Sequence, residues 1–125
     1  MNDAAAKYWW AAIARHQLLV QHCAGCDRYQ HPPASTCRGC HAGARLEWQE
    51  HDGLAPVVSY TEVHSSTYPG FTVPYWLATL RIAEEAYLVS NLVDLRGRPH
   101  AGLLTRVRFI ERGGRTIPVF APVET

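Results

Sequence analysis

Four cysteines fall within eighteen residues, as Cys23-Ala24-Gly25-Cys26 and Cys37-Arg38-Gly39-Cys40 with ten residues between the pairs. A C-x2-C step lets two thiolates meet one ion while backbone amides of the turn point at the sulfurs. Two such knuckles complete a tetrahedral four-thiolate site for one structural zinc ion. Gly25 and Gly39 precede the second cysteine of each knuckle, where a tight turn favours a residue without a side chain. A closed set of four ligands leaves no position for water, so the ion is expected to support folding rather than hydrolysis. Four thiolates also accept iron, and spacing alone does not separate the two metals. His22, His31 and His41 stand close by and read as neighbours of the site, since four better-spaced ligands are already present.

Other uses of the cysteines fit less well. Two disulfides need an oxidising compartment. The apolar run Tyr8 to Ala14 is too short, and its flank too weakly basic, for a secretory signal. A reducing, cytoplasmic setting is therefore expected. A thioredoxin-like redox pair needs one C-x2-C in a strand-helix context, not two in a row.

The remaining chemistry-bearing residues suggest binding more than catalysis. Residues 96–115 hold six arginines against Glu111, a local charge of +5, while the rest of the chain carries −4. Arg106 and Arg108 fall together on one face of an expected strand, and guanidinium groups suit phosphate and carboxylate. Aromatic candidates for a docking or ligand surface are Trp9 and Trp10 near the start, with Arg15 beside them, and Tyr68, Phe71 and Tyr75 in a long loop. There is no Gly-rich phosphate loop and no H-E-x-x-H. Glu62 and His64 could pair, yet no nucleophile is marked beside them, and Ser59 and Ser90 lack a recognisable base. No residue is assigned a catalytic role.

Three segments must position these residues. Residues 1–17 form an amphipathic helix: Asn2 or Asp3 can cap it, Ala4 to Ala6 favour it, and Trp9, Trp10 and Ile13 share a side. Residues 18–50 form the metal ribbon, with Leu18-Leu19-Val20 leading in and Leu46 and Trp48 alternating out. Residues 51–125 read as short alternating strands: Val57–His64, a strand with Trp76, Ala78, Leu80 and Ile82 on one face, Leu88–Val93, a strand turning Val107 and Phe109 inward, and Ile117–Phe120. Ala83-Glu84-Glu85 reads as a solvated turn. Pro118 implies an edge strand, and Pro118 to Pro122 a tail laid on the body. The loop 65–75 is longer than a usual hairpin connection and is expected to lie outside regular structure. Five strands in this length suit a small closed barrel, with the OB fold the leading candidate.

Composition bounds the function. A chain of 125 residues and formal net charge +1 is one small domain or two very small ones, without the basic excess of a dedicated nucleic-acid binder. No apolar stretch approaches the ~20 residues of a membrane span. Thirteen aromatics are enough to drive collapse.

The motifs, taken together, resemble the family of rubredoxin-like zinc-ribbon plus OB-fold proteins associated with acyl-CoA enzymes. The likeness runs through the Trp-containing helix, Leu18 to Cys26, Tyr29-Gln30-His31-Pro32-Pro33, Cys37 to Cys40 and Leu46-Glu47-Trp48. It continues in Val58 to His64, Pro74-Tyr75, Asn91-Leu92-Val93 and Pro118-Val119-Phe120. Ala34 stands where an arginine often follows the double proline, so a phosphate contact there is not carried over. Glu84-Glu85-Ala86 lacks the usual turn glycine. The resemblance implies a mainly β chain: an N-terminal helix, a rubredoxin-like zinc ribbon and a five-stranded OB-fold barrel. It also implies a non-catalytic subunit in a hetero-oligomer with a thiolase-like enzyme or a hotdog-fold hydratase. Such a subunit helps hold or channel an acyl-CoA, with the CoA thioester as a possible ligand. A zinc-ribbon and OB module for single-stranded nucleic acid is the alternative; an independent thiol-redox or hydrolase enzyme is a third.

Overall fold

The computed structural model describes residues 4–41, 45–65 and 72–123. Asn2, Asp3, Tyr68 and Phe71 lie outside them. The alanine-rich start forms helix α1, Ala4–Ala14, which buries Trp9, Ala12 and Ile13. It ends in a Schellman turn: Gln17 N–H donates to Ala12 C=O and His16 N–H to Ile13 C=O. His16 holds the left-handed position (φ 62°) that glycine usually takes. Its ring stacks on Phe109 at 5.0 Å, tying the helix end to the barrel.

The ribbon is a three-stranded antiparallel sheet of β1 (Leu19–Cys23), β2 (Arg28–Gln30) and β3 (Leu46–Glu50), with β1 in the middle. The short β2 after the first knuckle was not among the expected strands. Two uncharged polar residues are buried inside the sheet. Gln30 Nε2 donates to Gln21 Oε1 at 2.8 Å, and Gln21 Oε1 also accepts from Ala34 N–H at 2.8 Å. Gln30 Oε1 accepts from Arg38 N–H at 2.9 Å. This network fixes the crossing that carries the second cysteine pair, since each buried amide needs its partners.

The barrel contains β4 (Leu54–Val63), β5 (Tyr75–Ala83), β6 (Ala86–Leu92), β7 (Leu104–Arg112) and β8 (Arg115–Pro122), closed in the order β4-β5-β6-β8-β7. First-second-third-fifth-fourth, with the fourth returning to the first, is the OB order. A bulge between Val57 and Ser59 bends β4 around the closure. His51 holds the junction with the ribbon: its Nδ1 accepts from Gly53 N–H, so Nε2 carries the proton and donates to Ile82 C=O.

Two expectations about the chain end are corrected. Pro118 to Pro122 is not a tail but part of β8, a full stave. Pro118 is not on a free edge: β8 pairs along its length with β7 and meets β6 in parallel at Leu92↔Phe120. Proline is accommodated because its missing N–H faces the side where β6 pairing has already stopped. Tyr75, expected in a loop, opens β5. Glu84 and Glu85 of the turn are exposed but the turn is not idle, since Glu85 reaches Arg28 of the ribbon at 3.7 Å.

One connected apolar cluster runs from Trp9 and Ile13 through Leu18 and Val20 into Val57, Leu80, Leu92 and Phe120. Helix, ribbon and barrel thus share a core, which is how so short a chain sustains three elements.

Candidate metal centre and aromatic groove

The two knuckles bring the four cysteine sulfurs within 4.8 Å of one another. Cys23 and Cys40 sulfurs are 3.6 Å apart, and those of Cys26 and Cys37 3.5 Å. A tetrahedron with metal–sulfur bonds of about 2.3 Å has edges of about 3.8 Å, so this set fits one zinc ion. The knuckles repeat each other: Asp27 N–H donates to Cys23 C=O and His41 N–H to Cys37 C=O, both at 2.8 Å. Asp27 and His41 take positive φ (58° and 64°), while Gly25 and Gly39 do not. What a side chain at either glycine would meet is an exposed, flexible arginine. A Cβ on Gly25 would stand 2.9 Å from Arg45 Cδ, and one on Gly39 2.6 Å from Arg28 Cδ.

The backbone favours thiolate at the first cysteine of each pair. Cys40 N–H, ahead of Gly39 N–H, pulls Cys37 down to about 6 against the cost of burial. Cys26 N–H, with help from Gly25 N–H, lowers Cys23 in the same way. Burial and then the neighbouring sulfurs push the Cys26 thiol up to about 12. A divalent cation at the centre inverts that last effect. Of the nearby histidines, His22 when protonated donates from both ring nitrogens, to Asp27 and to Glu47, each at 2.7 Å. Those hydrogen bonds, Asp27 first, raise its pKa. It is a brace between knuckle and sheet.

The second feature is an apolar groove of about 760 Å³ where helix, ribbon and barrel meet. Trp9 and Trp10 form one wall, His31-Pro32-Pro33 another, and Tyr75, Leu77, Val89, Asn91 and Pro118 the floor. Trp9 is buried, with its Nε1–H donating to Leu19 C=O at 2.9 Å. Trp10 meets it edge-on at 4.8 Å, and the Arg115 guanidinium covers Trp10 at 3.8 Å. His31 lies 5.0 Å from Trp9. Burial, then the charge of Arg38, pushes His31 down to about 4, so its ring is neutral near pH 7. Asn91 is 8% exposed, and its Nδ2 has no partner among the described residues.

A second pocket, about 650 Å³, is lined by Asp94, Arg96, Arg98, His100 and Arg108. Arg108 pairs with Asp94, and Arg98 stands over the Trp76 ring at 5.6 Å. Of the residues singled out in sequence, Trp9, Trp10 and Tyr75 therefore come together, while Arg108 belongs to a separate cationic pocket. Arg15 and Arg106 are exposed and line neither. His31 and Asn91 were not anticipated as groove residues, nor Arg115 as the cation over Trp10. For Asn91 the available signal was a lone amide in the apolar run Leu88–Val93.

A helix-capped ribbon with four converging cysteines, joined to an OB-ordered barrel, defines a rubredoxin-like zinc-ribbon plus OB-fold protein. The family model described as ChsH2, rubredoxin-like zinc ribbon domain, matches residues 10–47. A solved structure titled Ltp2-ChsH2(DUF35) aldolase superposes with a TM-score of 0.84 at 30% identity, covering 98% of this chain and 96% of that one. The chain therefore belongs to the ChsH2 (DUF35) family. A DUF35-family protein of unknown function from Sulfolobus solfataricus shares the fold, with a TM-score of 0.66 at 17% identity over 96% of this chain and 86% of that one. The probable enoyl-CoA hydratase alpha subunit of Thermomonospora curvata is 31% identical over 119 residues, 92% of this chain. The chain spans only 36% of that relative's length. Among the described residues, no helix is long and apolar enough to cross a membrane.

Proposed function

We propose that this chain is a non-catalytic subunit that docks on a CoA-thioester-processing enzyme of the thiolase superfamily and assists binding of its acyl-CoA substrate. The observation that carries this reading is the groove built by all three elements and lined by Trp9, Trp10 and Tyr75. Aromatic residues concentrate in the cores of protein interfaces. Zinc held by Cys23, Cys26, Cys37 and Cys40 crosslinks the ribbon that forms one wall; its contribution is structural. Arg96, Arg98 and Arg108 suit the phosphates of CoA through charge-assisted hydrogen bonds, with Arg106 on the same strand face. The family's aldolase structure and the hydratase subunit support the assignment to acyl-CoA chemistry. Bond-making groups are assigned to the partner.

The test is purification of the untagged chain from its own host, followed by assay of the co-purifying enzyme with and without it. A stable complex whose activity falls on omission supports the reading. A partner fully active alone, with no complex, overturns it. The cationic pocket and OB barrel also allow binding of single-stranded nucleic acid. A titration with oligonucleotides at two salt concentrations separates the readings, since backbone contacts weaken steeply with salt.

A further inference from the structure

The barrel closes unevenly between β6 and β8. Val93 N–H donates to Phe120 C=O at 2.9 Å, and the strands pair at Leu92↔Phe120. Backbone groups alternate direction along a strand, so the odd-numbered residues of β6 face β8 and the even-numbered ones face β5. Val89 therefore aims its N–H and C=O into the slot, beyond the point where β8 pairing ends. Across the slot, β8 is blunted: Pro118 has no N–H, and its C=O accepts the Ser90 hydroxyl at 2.6 Å. Among the described residues, none is recorded pairing with the β6 backbone at Val89. Two more observations fall at the same place. The buried Asn91 Nδ2 lacks an acceptor among the described residues. The groove's Trp10 end carries the exposed cation Arg115.

An unpaired strand edge, an orphan amide donor and apolar walls ask for an occupant with regularly spaced peptide groups. The charge at one end asks for a carboxylate. We propose that the open edge of β6 receives an extended segment of the partner subunit, which adds a strand at Val89, accepts from Asn91 and sets an acidic side chain against Arg115. This rests on the reading above that the chain works docked on another subunit, and it names how that docking is made.

The experiment is amide hydrogen exchange on the full chain, free and in complex with the enzyme subunit that co-purifies with it. In the free chain the Val89 amide should exchange much faster than its β5-bonded neighbours Leu88 and Ser90, and in the complex it should become protected. Val89→Pro removes the slot-facing donor, while its ring also fixes φ and crowds Leu88, and should weaken the complex roughly tenfold or more. Val89→Thr keeps the N–H and should bind normally. Arg115→Glu, at an exposed site that leaves the barrel intact, should weaken binding and reverse its salt dependence. Circular dichroism and zinc content identify a Val89→Pro chain that has misfolded; Arg115→Glu and the exchange data then decide. A complex that forms while Val89 stays unprotected overturns the strand proposal and leaves the partner reading standing. Protection of Val89 already in the free chain, or by acetyl-CoA alone, also overturns it. Absence of any complex removes both.

Discussion

Trp9→Phe tests whether α1 is part of the folded core or a detachable flap. Trp9 is 3% exposed and donates to Leu19 C=O at 2.9 Å. Phenylalanine keeps a ring but loses the donor. The Leu19 carbonyl points away from β3 and past the end of β2 at Gln30, so the change leaves it without its donor, at a cost of about 1–3 kcal/mol. The smaller ring also leaves a void against Trp10 and His31, worth about 1–2 kcal/mol. The expected loss is about 2–5 kcal/mol, which for a chain of this length lowers Tm by roughly 10–20 °C. Urea unfolding at pH 7 with zinc saturated measures it, and an unchanged m-value shows that the folded state stayed compact. Trp10→Phe, at a half-buried position, should cost less. A Trp9→Phe loss below about 0.5 kcal/mol, the range of ordinary surface substitutions, would refute the shared core.

Three further outcomes follow from the geometry. A strong zinc chelator should unfold the ribbon, whose sheet ends on Cys23, and expose Trp48; tryptophan fluorescence and zinc release should change together. His31 titrates near 6.5 when unfolded but is held to about 4 in the fold. Between those values the unfolded chain binds a proton the folded chain refuses. Stability is therefore full above pH 6.5 and declines toward pH 4, by roughly 3 kcal/mol in all. His31→Gln should flatten that part of the pH–stability curve. Gln30→Ala should destabilise by about 2–4 kcal/mol, because Gln21 Oε1 and Arg38 N–H each lose a buried partner; thermal melts check it.

The four cysteines were legible because metal ligation imposes local spacing, two thiolates per knuckle. The barrel was legible because half-burial imposes alternation, as in Ala78, Leu80 and Ile82. The edge reading of Pro118 failed for an equally physical reason. Sequence records that an N–H is missing, not which neighbour the missing group would have faced. β2 was missed because three residues are too few to show a period. Gln21 and Gln30 gave no sign that they bond to each other, since that depends on the register between β1 and β2.

What the sequence determined by itself, then, was the class of each part: a helix with one indole face, a four-thiolate ribbon, a five-stranded barrel and an arginine-rich stretch near the end. Tertiary structure alone decided which residues meet. It joined Trp9 and Trp10 to Tyr75 across some 65 residues of chain, as the closed barrel requires. It sent Arg108 to a different pocket, brought His31 and Asn91 to the groove, and set Arg115 over Trp10. It also left the β6 edge open, because strand pairing is settled between distant segments and no local pattern encodes where a ladder stops.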